Sequence, residues 1–240
     1  MKTLIVALAL AVFSTQMPAP SYAQERGAQV QEQRVSLFRV PWQCPAAPEI
    51  ACGGVAKPIL LELEADPNIS EAWVNRAGTV LAVVGSDRSS RESRAKIVQS
   101  LLLEIFEKQV ATEIDGEARQ SELARFSSND GWYRGAQVDD LSREEADIIG
   151  ARLVRRIQTK APLTDEKASA LAAAFANVFK GRFLSDPAAP ASSNKTSGKV
   201  SKAERDKQLM TVARERLDPA GVAAFEEALR MGHRPLSGEK

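Results

Sequence analysis

Up to about residue 115 the apolar residues fall in short runs, and beyond about residue 140 they recur at helical spacing. VSLFRV, beginning at Val35, has the β-branched and aromatic content of a strand, and the proline-interrupted stretch PWQCPAAPEIACGGVA reads as a loop. Lys57-Pro58 opens a helix, because the missing N–H of proline costs nothing in a first turn, and PILLELEA extends it to Asp66-Pro67-Asn68. EAWVN and TVLAVVG are β-rich runs separated by Arg76-Ala77-Gly78, a gap that favours a hairpin. In SRESRAKIVQSLLLEIFEK, Ala95, Val98, Leu102 and Ile105 recur at helical spacing, and QVATEI is a weak last strand before Asp115-Gly116.

Strand, helix, strand, strand, helix, strand is the split βαβ arrangement, so the expected fold class is α+β, with a ferredoxin-like βαββαβ domain at residues 33 to 116 followed by a helical C-terminal region. Residues 117 to 140 are polar and read as a linker pinned by Trp132 and Tyr133. LSREEADIIGARLVRRI and LTDEKASALAAAFANVF each begin with Ser or Thr followed by acidic residues, which is N-cap chemistry, and predict a helical hairpin over 141 to 183. Residues 184 to 200 have the Pro, Ser and Gly content of a flexible linker, and 201 to 240 read as a helical tail with Asp218 as a further cap. The run Val80 to Val84 leaves no polar face, so both sides of its sheet require cover. The helices at 141 to 160 and 163 to 183 are the nearest intramolecular candidates, and a homodimer formed through the sheet is the competing one.

The first residues change the compartment. Lys2, the apolar run Leu4 to Phe13 and Ser21-Tyr22-Ala23 match a cleavable signal peptide over residues 1 to 23, with cleavage between Ala23 and Gln24. The mature chain is expected in the periplasm or outside the cell. No later run approaches the ~20 apolar residues of a membrane helix, so no integral membrane segment is expected. The remaining charges balance, with an acidic excess before residue 140 and a basic excess after it, which gives no net field toward nucleic acid. The single histidine, His233, leaves little material for histidine-rich zinc sites or a Ser-His-Asp triad.

The remaining chemistry rests on Cys44 and Cys52. In an exported chain a nearby pair of this kind is ordinarily oxidised, and a Cys44–Cys52 disulfide is one reading. Cys52, Ile59, Leu63, Pro67 and Ile69, with SEAWVNRAGTVLAVV beyond them, resemble the heavy-metal-associated domain of periplasmic mercury-binding proteins and copper chaperones. That resemblance implies a non-enzymatic binder of a soft ion, Cu(I) or Hg(II), with Cys52 and possibly Cys44 as ligands and a metal-donor or metal-acceptor protein as partner. Two-thiolate sites suit such ions because sulfur is polarizable. Here Val55 stands at the family's second cysteine position and Ile50 at its methionine. Cys52 before a helix would gain thiolate character from the helix dipole, with Lys57 adding positive charge. An interaction module that carries the disulfide and no metal is the alternative, and a thiol-disulfide oxidoreductase is the third reading.

Overall fold

The computed structural model describes residues 33–106, 110–128, 130–184 and 201–239. The expected signal peptide, its cleavage point at Ala23 and Gln24, and the linker residues 185–200 lie outside the described residues.

A five-stranded antiparallel sheet forms the first unit, in the order β6-β1-β5-β4-β7. Its strands are β1 (Val35–Arg39), β4 (Ile69–Asn75), β5 (Val80–Gly85), β6 (Thr112–Glu113) and β7 (Trp132–Arg134). β4 and β5 are joined by a tight turn at Gly78, whose φ of +68° is open to glycine at no steric cost. A Cβ there would also press on the Trp42 carbonyl and the Ala51 Cα. A separate two-stranded sheet pairs β2 (Gln43–Cys44) with β3 (Ala47–Ala51), inside the stretch expected to be a loop.

This architecture corrects the expected ferredoxin-like βαββαβ domain followed by helices. The sheet has a fifth strand, β7, and so a different strand order; the β2–β3 hairpin is inserted after β1; and an extra helix follows β6. The added elements have physical reasons. β7 pairs with the free edge of β4, which would otherwise present unpaired backbone groups. Helix α3 (Gly116–Ser127) covers a sheet face that is apolar on both sides.

That cover follows from the alternation of strand side chains. Phe38, Val74, Leu81 and Val83 face Ile59, Leu60 and Leu63 of α1 (Gly53–Ala65) and Val98 and Leu102 of α2 (Arg91–Phe106). Val35, Leu37, Val80 and Ala82 point the other way, into a core closed by Leu123 and Phe126 of α3 with Trp73, Ile114 and Trp132. The second face is therefore covered from within the chain by residues read as a linker, and not by the helices beyond residue 140.

Those later helices build a core of their own. α4 (Val138–Gln158), α5 (Asp165–Phe183), α6 (Lys202–Arg216) and α7 (Pro219–Met231) bury Ile149, Leu153, Ile157, Leu171, Phe175, Phe179, Leu209 and Phe225 together. The rings of Phe175 and Phe225 stack at 4.7 Å between centroids. Thr164, Ser201 and Asp218 cap α5, α6 and α7 by accepting from Lys167, Glu204 and Gly221 N–H groups. Ser142 does not cap α4. The helix begins at Val138, and Ser142 is buried inside it against Gly53, where a Cβ on the glycine would run into the Ser142 hydroxyl.

Helix α4 thus joins the two units. Val138 and Leu141 belong to the core under the sheet, while Ala146 to Ile157 belong to the helical core. Lys57 of α1 pairs with Asp139 of α4, Nζ lying 2.9 and 2.8 Å from the two carboxylate oxygens, with both side chains largely shielded from solvent.

Candidate functional site: a thiol pair under helix α4

The two cysteines come together from different local structures. The β2–β3 hairpin hangs from the β4–β5 turn: the Trp42 N–H donates to Gly78 O at 2.8 Å, and the Ala51 N–H to Arg76 O at 2.6 Å. The Cys52 N–H donates to Trp42 O at 2.7 Å, closing the hairpin at its base. Cys44 and Ala47 face each other across its tip, and the Ala46 N–H donates to Cys44 Sγ at 3.3 Å. Cys44 is 1% exposed, and Cys52 is half-buried.

Cys52 is the N-cap residue of α1, which begins at Gly53 and so starts earlier than Lys57-Pro58. Pro58 then lies in the second turn and gives up only the bond to the Gly54 carbonyl. The Cys52 carbonyl accepts from the Val55 and Ala56 N–H groups, as a cap residue's does.

The two sulfurs are not bonded to one another, and each is the largest influence on the other's titration: the neighbouring Cys52 pushes Cys44 well above the ordinary thiol range, with burial adding to the effect, and Cys44 pulls Cys52 down, with burial opposing. The Val55 and Gly54 N–H groups at the helix start also favour the Cys52 thiolate, although none is aligned as a side-chain capping bond. The helix start thus favours the thiolate on Cys52, and burial disfavours it on Cys44.

A third group joins them. Glu145, buried on α4, lies close enough for its charge to disfavour the thiolate on Cys52. Its place shows only as spacing: Ser142, Glu145, Ile149, Arg152 and Arg156 recur every three or four residues along one face of α4. Arg152 Nη1 donates to Ala46 O in the hairpin tip at 2.6 Å and to His233 O at 2.8 Å. The polar face of α4 thus reads the hairpin that carries Cys44 and the C-terminal tail together.

The other residues singled out in the sequence lie elsewhere or act differently. Lys57 gives its charge to Asp139. Ile50 is sealed in the core, and Val55 packs against it. His233 is held against Phe179 in the helical unit. Among the described residues no group of three or more His, Cys, Asp or Glu side chains is arranged to hold a metal ion, and no helix is long and apolar enough to cross a membrane. Comparison with protein-family models, with curated proteins and with solved structures finds no match to this chain.

Proposed function

We propose that this chain is an exported interaction module in which Cys44 and Cys52 close into a disulfide that clamps the β2–β3 hairpin to the start of α1, beneath α4. The single observation that carries this reading is the placement of both cysteines on one hairpin, Cys44 1% exposed at its tip and Cys52 at the base that its N–H closes onto Trp42 O. A loop that passes a soft ion to a partner must open both sulfurs to exchange, and Cys44 is closed off. The clamp holds the junction between the sheet unit and the helical unit, so oxidation fixes the surface both units present to another protein. The test is the intact mass of protein recovered outside the cytoplasm and purified without reductant. A chain beginning at Gln24 and lighter by two hydrogens than its reduced form is expected. Two free thiols in that material would refute the clamp.

Soft-metal binding is the second reading, favoured by the thiolate character of Cys52 at the helix start. Reduced protein titrated with Cu(I) or Hg(II) distinguishes it. Stoichiometric binding that is lost in Cys52→Ser supports a thiolate site, and equal binding by the double Cys→Ser variant rules one out.

A further inference from the structure

We propose that the cleft between the end of α4 and α7 docks an acidic peptide segment of a partner protein, and that the C-terminal tail is its built-in competitor, with the Glu239 carboxylate occupying Arg156 until a partner's carboxylate replaces it. The proposal rests on the reading of the chain as an interaction module, to which it adds a surface and the chemistry that surface takes. It does not depend on the state of the cysteines.

Arg156, near the C-terminal end of α4, is a built site for a carboxylate. Its side chain is 5% exposed, and its fork meets Glu239 with both arms: Nε lies 2.9 Å from one carboxylate oxygen and Nη2 2.7 Å from the other. The remaining donors go to Gly232 O at 2.5 Å and Arg234 O at 2.8 Å. Both carbonyls precede Pro235, so Leu236 to Glu239 can swing away without them. The tail fills the site as a ligand would. Leu236 to Glu239 curl into a turn, with Gly238 at φ +81°, in which the Glu239 N–H donates to Leu236 O at 3.0 Å and the Leu236 N–H to the Glu239 carboxylate at 2.8 Å. Of residues 235 to 239 none is buried, and the one large apolar side chain among them, Leu236, is 48% exposed. A terminal segment that buries so little opens at small cost.

Beside the ion pair lies a cleft of about 370 Å³. Ala224 and Ala228 of α7 are buried at its floor, and the partly exposed Met231 and Leu236 stand at its rim. Lys160 lines it too, paired with Glu227, both side chains partly exposed. An apolar trough with two cations beside it, each held by a carboxylate of the chain itself, matches a segment that carries an apolar side chain next to Asp or Glu. A basic segment would meet Arg156 and Lys160 and be repelled.

The test uses the chain from Gln24 to Lys240 and an acetylated, amidated peptide of residues 234–239, RPLSGE, whose glutamate is its only carboxylate, with binding read by calorimetry. Glu239→Gln frees Arg156 in an otherwise intact chain and should bind this peptide at least about tenfold more tightly than the parent does. On that variant, a peptide with Gln in place of its glutamate should lose at least about tenfold, and adding Met231→Ser should also weaken binding. Arg156→Gln should erase the preference for the glutamate peptide. Because Arg156 is buried and that variant risks misfolding, the glutamine peptide puts the same question without touching the protein. Equal affinity of parent and Glu239→Gln, no binding to Glu239→Gln up to millimolar peptide, or equal affinity for the two peptides would overturn the proposal. A parent that dimerises in light scattering while Glu239→Gln stays monomeric would overturn it in favour of tail exchange with a second copy. Each arm is read on oxidised and reduced protein alike, so failure here leaves the clamp standing, and two free thiols leave this site standing.

Discussion

Replacing Leu123 tests whether α3 is the cover of the second sheet face. Leu123 is 5% exposed and packs in one core with Val35, Leu37, Val80, Ala82, Ile114 and Trp132. Leu→Ala at such a site costs the transfer energy of the lost carbons plus that of the cavity, about 2–5 kcal/mol in all. α3 is an outer layer that can settle inward, so the low end applies, about 2–3 kcal/mol. For a chain of this size that lowers Tm by roughly 5–10 °C. The optical probe is built in. Phe126 of α3 meets Trp132 edge-on at 5.0 Å and Trp73 at 6.1 Å, so loosening α3 uncovers both indoles, while Trp42 stays sealed in the other core. Tryptophan emission should shift to the red, and acrylamide should quench more of it. Leu61→Ala is the control: Leu61 is 41% exposed on α1, and an exposed substitution of this kind stays within about 0.5 kcal/mol. If Leu123→Ala melts with Leu61→Ala and its tryptophans are no more accessible, α3 does not hold that face and the argument from the apolar alternation of β5 is wrong.

Closing the nine-residue loop from Cys44 to Cys52 should stabilise the chain by about 2.5 kcal/mol through the unfolded state, so a reductant should lower the parent's Tm and leave that of the Cys44→Ala/Cys52→Ala variant unchanged. Gly53→Ala should cost roughly 1–3 kcal/mol by driving a methyl into Ser142, and adding Ser142→Ala should restore much of it; additive losses in that double-mutant cycle would mean that the helices do not meet there. Burial pushes the His233 imidazole down to about 4, with the Arg205 charge adding to it, so the folded state holds the neutral ring. Its contribution is complete above the unfolded pKa of about 6.5 and is lost as pH falls toward 4, by up to about 3 kcal/mol and less as far as solvent reaches the ring. Denaturant unfolding of His233→Phe at pH 7 and pH 4.5 should show a smaller drop than the parent, and equal drops would refute a buried neutral histidine.

The central elements were legible because their periodicity is strong. β1, the β4–β5 hairpin and α2 lie close to where the apolar spacing puts them, and α5 and α7 start at the caps Thr164 and Asp218, whereas α4 begins at Val138, inside the residues read as a linker. What was hidden had weak local signals and strong tertiary ones. GEARQSELARFS places only Leu123 and Phe126 on an apolar stripe, so nothing local marks α3 as more than a polar connection. Its partner is the uniformly apolar β5, and that need for cover was readable although the element answering it was not. The β2–β3 hairpin has three prolines around it and a ladder of only two pairs. It is held by its bonds to the β4–β5 turn and by Arg152 more than by strand propensity.

The same contrast explains the site. Cys44 and Cys52 could be named from the sequence, and so could the pull of a following helix on Cys52, but the near-complete burial of Cys44 could not, because it arises from tertiary packing. A β2–β3 hairpin lying on the sheet alone would leave the inner sulfur open on the side where α4 now lies. With α4 docked, Cys44 is shut in and given a carboxyl neighbour, while Cys52 keeps its place at the start of α1. The docking itself depends on short-range fits that sequence spacing does not display: Gly53 under Ser142, Lys57 against Asp139, and Arg152 on the hairpin tip. The polar residues on the buried stripe of α4 are costly to bury and would weaken a helix that served only as packing. Their alignment from Ser142 to Arg156 follows the line along which the thiol-bearing hairpin and the tail meet α4. The chemistry of the pair and the attachment of the helical unit are therefore one structural problem, and a change that undocks α4 should alter thiol reactivity even where it touches neither cysteine.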